Sequence, residues 1–191
     1  MNTVRLIVKS VSEIVGTSQL GLLTLTDEAE ERQITIVCDK TMAMQIELRM
    51  RDGKTDRLLP EVLWTTLKSI SNAPMEIHIT GVDDGQYRAV TCYGPEWIRP
   101  IPIRMSDAVL LNVIGDVPIF INSDLMERQS VPYNKGARGV ALPVNTISNE
   151  MLQSALNKAI DEENYELAAR LRDEQIRRGG TPDNANIKDK K

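Results

Sequence analysis

"MEIHITGV-DDG-QYRAVTCY" (Met75–Tyr93) decides how the rest of the chain is read. Its first eight residues alternate strictly. Ile77 and Ile79 face one way, and Glu76, His78 and Thr80 face the other, the period of a half-buried strand. Asp83–Gly85 supplies a hairpin turn, since Asp and Gly tolerate the positive φ angles that a tight reversal needs. The return strand then follows at once. An antiparallel sheet is therefore the frame, and the other segments are fitted to it.

Working outward, "VRLIVKSVSEI" (Val4–Ile14) and "LGLLTLT" (Leu20–Thr26) read as strands joined through Gly16. "RQITIVC" (Arg32–Cys38) follows a charged turn at Asp27–Glu31 and reads as a third strand. Asp39 then suits the cap of a helix in "KTMAMQIELRM", with Met42, Ile46 and Met50 recurring every four residues beside Ala43. A polar loop, Asp52–Arg57, leads to a second helix with Pro60 in its first turn. Leu59, Val62, Leu63, Leu67 and Ile70 share a face of it. On the far side of the central hairpin, "WIRPIPIR" (Trp97–Arg104) is extended, and Pro100 and Pro102 place it at an edge or a bulge. A helix at Ser106–Ile114 stopped by Gly115, a strand at Val117–Ile121 and a short helix at Ser123–Gln129 complete the unit. No regular strand–helix–strand repeat appears. The fold class is α+β: a mixed or antiparallel sheet with several helices, followed by a small α-helical hairpin.

The expected organisation is a domain over 1–129, a Pro/Gly-punctuated linker over 130–147, a helical hairpin over 148–178 and a disordered tail over 179–191. In the hairpin, Leu152, Ala155, Leu156, Ala159 and Ile160 form one stripe. Tyr165, Ala168, Ala169, Arg172 and Ile176 form the answering one. Leu167 and Leu171 fall off that stripe and are read as a ridge for docking a protein partner.

Composition excludes several classes. The net charge is −4, without the basic excess of a general nucleic-acid binder. One Phe, two Trp and four Tyr give little from which to build a base-stacking platform. The two cysteines, Cys38 and Cys92, are far apart in apolar runs and read as buried free thiols in a reducing compartment. No apolar stretch approaches the roughly 18 residues of a membrane span, so a cytoplasmic location is expected.

The chemistry turns on "RMSDA" (Arg104–Ala108). One reading makes Ser106 a helix N-cap and Asp107 a first-turn acid paired with Arg104. The other makes a helix N-terminus beside an Arg a place for a phosphate. "RMRDGKTDR" (Arg49–Arg57) adds four cations, Arg49, Arg51, Lys54 and Arg57, as candidate nucleic-acid contacts, diluted by Asp52 and Asp56.

"LNKAIDEENYELAARLRDEQ" (Leu156–Gln175) resembles the helical-hairpin motif shared by the excinuclease subunits UvrB and UvrC, which implies protein–protein docking. The first 129 residues resemble the bifunctional nuclease (DNase–RNase) family. "ITIVC", "DDGQYRA" and above all "IRMSDAVLL…VPIFI" carry that resemblance. It implies metal-assisted hydrolysis of DNA or RNA with Mg²⁺ or Mn²⁺ and no organic cofactor. It also implies a homo-oligomer. Residues Asp107, Arg104, Glu61 and Asp56 are its candidate catalytic set. Self-association is expected through the Trp97–Arg104 edge and the Met-rich helix. The chain departs from the family at polar positions. Asp39, Lys40, Thr41 and Met42 stand where members tend to have Gly-Pro-Phe-Glu. Leu58, Leu59, Pro60 and Glu61 stand where they have Pro-Leu-Thr-His, and Pro102 stands where they have Asp. The alternative reading is therefore a catalytically degenerate member that acts as a protein-interaction module.

Overall fold

In a computed structural model of the chain, residues 2–13, 20–51, 53–94, 100–135, 149–161 and 163–177 are described. The expected joint at Gly16, the start of the Trp97–Arg104 segment, most of the linker and the tail at 179–191 lie outside the described residues.

The strands are β1 (Thr3–Glu13), β2 (Leu20–Asp27), β3 (Arg32–Asp39), β4 (Met75–Asp83), β5 (Gln86–Tyr93), β6 (Ile101–Arg104), β7 (Ile119–Asn122) and β8 (Val131–Pro132). The helices are α1 (Lys40–Met50), α2 (Leu59–Ile70), α3 (Met105–Gly115), α4 (Ser123–Gln129), α5 (Asn149–Asp161) and α6 (Tyr165–Arg177). The strands form one eight-stranded sheet in the order β6-β5-β4-β7-β1-β2-β3-β8. Among the described residues, only β4 and β7 pair in parallel. The fold is α+β, as expected.

The β4–β5 turn reverses on Asp84 (φ 46) and Gly85 (φ 71), with Asp83 paired to Gln86. Two successive positive φ angles in a two-residue loop match the right-handed twist of the strands. Register slips in β1 between Val8 and Ser10, and in β4 between Ile79 and Gly81, break the ladder and let the sheet bend. Residues at the start of β5 consequently share a cleft with the end of β3, although four strands lie between them in the sheet. The edge strand β6 carries Pro102, whose missing N–H costs no ladder bond there. At the opposite edge, β8 pairs with β3 and Lys135 ion-pairs with Glu30. The sheet therefore runs on into the first residues of the segment read as a linker.

The core lies on one face of the sheet. Leu6, Leu23, Leu25, Ile34, Ile36, Ile77, Ile79, Ile119 and Ile121 meet Ile46 of α1 and Ala108 and Val109 of α3 there. Gly21 lets α1 close in, because a Cβ at that position would stand 2.4 Å from the Ala43 Cβ. Gly115 has a similar role under α2. A Cβ there would meet the Trp64 ring at 2.2 Å. The left-handed residue that ends α3 is Asp116 (φ 51), so Gly115 is held by this close approach and is not the helix stop.

Two helical stripes differ from expectation. On α2, Leu59, Val62, Leu63 and Ile70 do share a face, but that face points to solvent. Trp64 and Leu67 are the half-buried ones. In the α5–α6 hairpin the core is Leu152, Leu156, Ala159, Ala168 and Leu171. Leu171 is 3 % exposed, so it packs the hairpin and cannot serve as a docking ridge. The Leu167 side chain lies outside the described residues. Ala169, Arg172, Tyr165 and Ile176 face outward. Two apolar faces of α6 compete at helical spacing, and burying the larger Leu171 in place of Ala169 removes more apolar surface from water.

Candidate active site

The start of α3 is built differently from the starts of α1 and α4. At α1, the Asp39 side chain accepts the Met42 N–H at 2.8 Å. At α4, Asn122 accepts the N–H groups of Asp124 and Leu125. At α3, the extended residue before the first turn is Arg104, and no side chain caps the helix. Ser106 is thus the second residue of the helix and not its cap. It is 9 % exposed, and its hydroxyl makes no hydrogen bond among the described residues. Met105 beside it is buried too. An N-terminus with uncapped N–H groups beside a serine hydroxyl retains unused donors and a positive dipole end.

Those groups open into a cleft of about 300 Å³. Its walls are Val37–Asp39 at the end of β3, Gly85–Tyr87 at the start of β5, and Arg104–Ser106. The Arg104 guanidinium is 72 % exposed, with Nε donating to Asp107 Oδ2 at 2.6 Å and Nη2 to Oδ1 at 3.2 Å. The Asp107 hydrogen bond and charge, with the Asp39 carboxylate behind them, hold the guanidinium pKa above its usual value. Cys38 also lines the cleft, but burial and then the Asp39 charge push its thiol up to about 11. It is a packing thiol and not a nucleophile. Burial also pushes the Tyr87 phenol up, and its hydroxyl has no hydrogen-bond partner among the described residues.

The remaining candidates are elsewhere. Arg49 Nε donates to Glu61 Oε1 at 2.6 Å, and Nη2 donates to Oε2 at 2.9 Å. Gln45 takes Nη1. The side chains are only 4 % and 13 % exposed, so this pair fastens α1 to α2. Glu61 is therefore a structural partner and not a free catalytic carboxylate, and Arg49 has no edge left for a phosphate. Burial alone would raise the Glu61 carboxyl. Hydrogen bonds from Arg49, its own backbone N–H and Thr55 outweigh it and lower the pKa. Arg51 pairs with Glu47 at 2.5 Å. Lys54, Asp56 and Arg57 are exposed in the loop before α2. His78 pairs with Glu76 at 3.0 Å and stacks on Phe120. Among the described residues, no three Asp, Glu, His or Cys side chains converge as metal ligands would. At the cleft the carboxylates are Asp39 and Asp107, which accept from the Met42 N–H and from Arg104.

The structure thus brings together Arg104 and Asp107 and adds Ser106 and Asp39. Both were visible in the sequence, Asp39 as a helix cap and Ser106 as another. Tyr87 and Gln86 were visible only as part of a hairpin. Their place in the cleft depends on the bend of the sheet, which no local pattern reports.

Residues 23–134 match the family model of the bifunctional nuclease domain, well over half of the chain. The chain belongs to the bifunctional nuclease family. Residues 150–177 match the UvrB/uvrC motif, which covers α5 and α6. No curated protein matches the chain. In this bifunctional nuclease domain, the matched region contains every wall of the cleft except Leu20. The hairpin touches the same neighbourhood. The Asn149 N–H donates to Asp84 Oδ1 at 3.2 Å, and Val37 packs against the hairpin core. Among the described residues, no helix is long and apolar enough to cross a membrane.

Proposed function

We propose that the chain is a cytoplasmic nuclease that takes a phosphodiester of DNA or RNA into the cleft at the start of α3. The observation that carries this reading is the buried, uncapped helix start with the free Ser106 hydroxyl beside an exposed Arg104. Backbone N–H groups of the first turn, the Ser106 hydroxyl and the Arg104 guanidinium would bind the non-bridging phosphoryl oxygens and the charge that develops on them. Asp39 spends one oxygen on capping α1, and its other oxygen is available to orient or deprotonate a water. About 300 Å³ accommodates a phosphate with one neighbouring sugar or base, so a single strand or a frayed end enters more readily than intact duplex. Lys54 and Arg57, exposed in the loop before α2, are the proposed further contacts for the backbone. Buried free cysteines support the reducing compartment.

The test is cleavage of labelled single- and double-stranded DNA and RNA, with Mg²⁺, with Mn²⁺ and with chelator. Arg104→Ala and Asp39→Asn should each lower the rate by roughly 10²-fold or more. Wild-type rates in both variants would remove this cleft from the mechanism. A second reading, a non-catalytic member, is favoured by one observation. Glu61, standing where the family resemblance puts a histidine, is used up by Arg49. Oligonucleotide binding without cleavage under any of the three conditions would select it. In either case the hairpin is proposed to recruit a protein partner. Among the described residues, its large exposed apolar side chains are Ile160, Tyr165 and Ile176.

A further inference from the structure

The α5–α6 hairpin holds both sides of the cleft. On one side, Asp84 stands immediately before Gly85, where the wall from the β4–β5 turn begins. The tight turn sets Asp84 at φ 46. Its Oδ1 accepts the N–H of Asn149, the first residue of α5, at 3.2 Å. A carboxylate of the domain thus caps a helix of the hairpin and meets the positive end of its dipole. On the other side, Val37 belongs to the β3 wall itself and packs against the hairpin core of Leu152, Leu156, Ala159, Ala168 and Leu171. A two-helix core this small is marginal alone, so each contact with the domain adds cover. The hairpin therefore bridges the two walls. The Arg104 end of the cleft is open, since the guanidinium there is largely in water.

We propose that the bridged end is closed to a running strand, so that the cleft takes a free end of single-stranded nucleic acid and not an internal stretch. This rests on the reading of the cleft as the nuclease site and narrows its substrate class to chain termini. The lining supports that polarity. The phosphate-binding groups, Arg104 and the uncapped first turn of α3, are at the open end. At the hairpin end the described lining is Val37, Gly85 and Tyr87, which suits the flat face of a base better than a phosphate. A strand that ran on past this end would have to cross the bridge and bring its next phosphates onto the Asp84 carboxylate, like charge against like. A terminal nucleotide has no further phosphate to place there. A groove open at its cationic end and shut at its acidic one selects an end by geometry and by charge together.

The test compares the linear and the covalently circular form of one single-stranded oligonucleotide, as oligo(dT) and as oligo(U). Chelator is present, and binding to the full chain is read by fluorescence anisotropy. Wild type should bind the linear form roughly tenfold or more tighter than the circle. Two variants loosen the bridge from its two sides. Asp84→Gly removes the acceptor together with its charge, and glycine is at ease at φ 46. Asn149→Pro removes the donor alone, and proline suits the first turn of a helix. Both residues are exposed, so neither change opens the core. Each variant should gain affinity for the circle and keep that for the linear form. Equal affinity of wild type for the two forms would overturn the inference and leave the cleft reading in place. So would a preference that survives both variants, since the hairpin would then not be what closes the end. Failure of wild type and both variants to bind either form would remove the cleft reading, and this inference with it.

Discussion

Two arginine–carboxylate pairs in this chain share the same donors and almost the same shortest distance, 2.6 Å, and do different things. Arg49–Glu61 spans two helices and is nearly out of solvent. Arg104–Asp107 spans three residues of one helix start, and its guanidinium is largely in water. Distance does not separate structural from reactive charge here. Burial and the spare donors do. Arg49 has all its edges used, whereas Arg104 faces a cleft with an uncapped helix start beside it.

The largest expected effect comes from breaking the buried pair. Arg49→Ala leaves the Glu61 carboxylate in a nearly dry site without its partner, and should cost about 3 kcal/mol of unfolding free energy in a urea titration. Replacing both, Arg49→Met with Glu61→Leu, should recover most of that loss, because neither charge is then left alone. A single substitution costing less than about 1 kcal/mol would mean that α1 and α2 do not depend on the pair.

Acid should separate the pairs next. Glu61 has a folded pKa below its usual value, and Glu30 is held at about 2 by hydrogen bonds from Lys135 and Lys9. In both cases the folded state releases the proton more readily than the unfolded chain. Their stabilisation is therefore complete above the unfolded pKa of 4.5 and is lost as pH falls, for Glu30 through the window down to about 2. Arg49→Ala should flatten the Glu61 part of that loss, whereas Arg104→Ala should leave the curve unchanged. Urea midpoints measured from pH 5 to pH 2 test this, and parallel curves for wild type and Arg49→Ala would refute it.

Arg104→Ala should leave stability within error of wild type. It should weaken binding of a single-stranded oligonucleotide about tenfold and lower the salt slope by about 1, as loss of one phosphate contact does. Unchanged binding would place the nucleic acid elsewhere on the surface.

The comparison also marks what the sequence makes legible. Strict alternation in Met75–Val82 and the Asp-Gly turn specify the hairpin because side-chain period and backbone sign are local properties. The prolines of the edge strand are legible for the same reason. The orientation of α2 is not, since its apolar residues fit either face until Trp64 settles on Gly115. The fate of Glu61 and Arg49 is hidden likewise, because they lie twelve residues apart and meet only when α1 packs through Gly21 onto β2. In the cleft, the identity of Arg104, Ser106 and Asp107 was readable, but the wall from β5 required the bent sheet. Leu171 shows the limit of counting by period, since a rotation of one position on α6 turns a docking residue into a core residue.

The smallest expected effect on stability, and the sharpest on mechanism, belongs to Asp107→Asn. Asp107 sits in the first turn of α3, where a negative charge gains roughly 0.3–1 kcal/mol from the helix dipole, so the substitution should cost about 0.5 kcal/mol. In the cleft it should act in the opposite direction. Removing the carboxylate releases Arg104 Nε and Nη2 for a phosphate and takes away a like charge that repels it. Oligonucleotide binding should therefore tighten severalfold, measured by fluorescence anisotropy at fixed salt. If the cleavage rate at saturation is kept, Asp107 only positions Arg104. If that rate falls while binding tightens, the carboxylate itself takes part in the reaction. Weaker binding by Asp107→Asn would contradict both roles, since it would show that the carboxylate supports the anion site and does not oppose it.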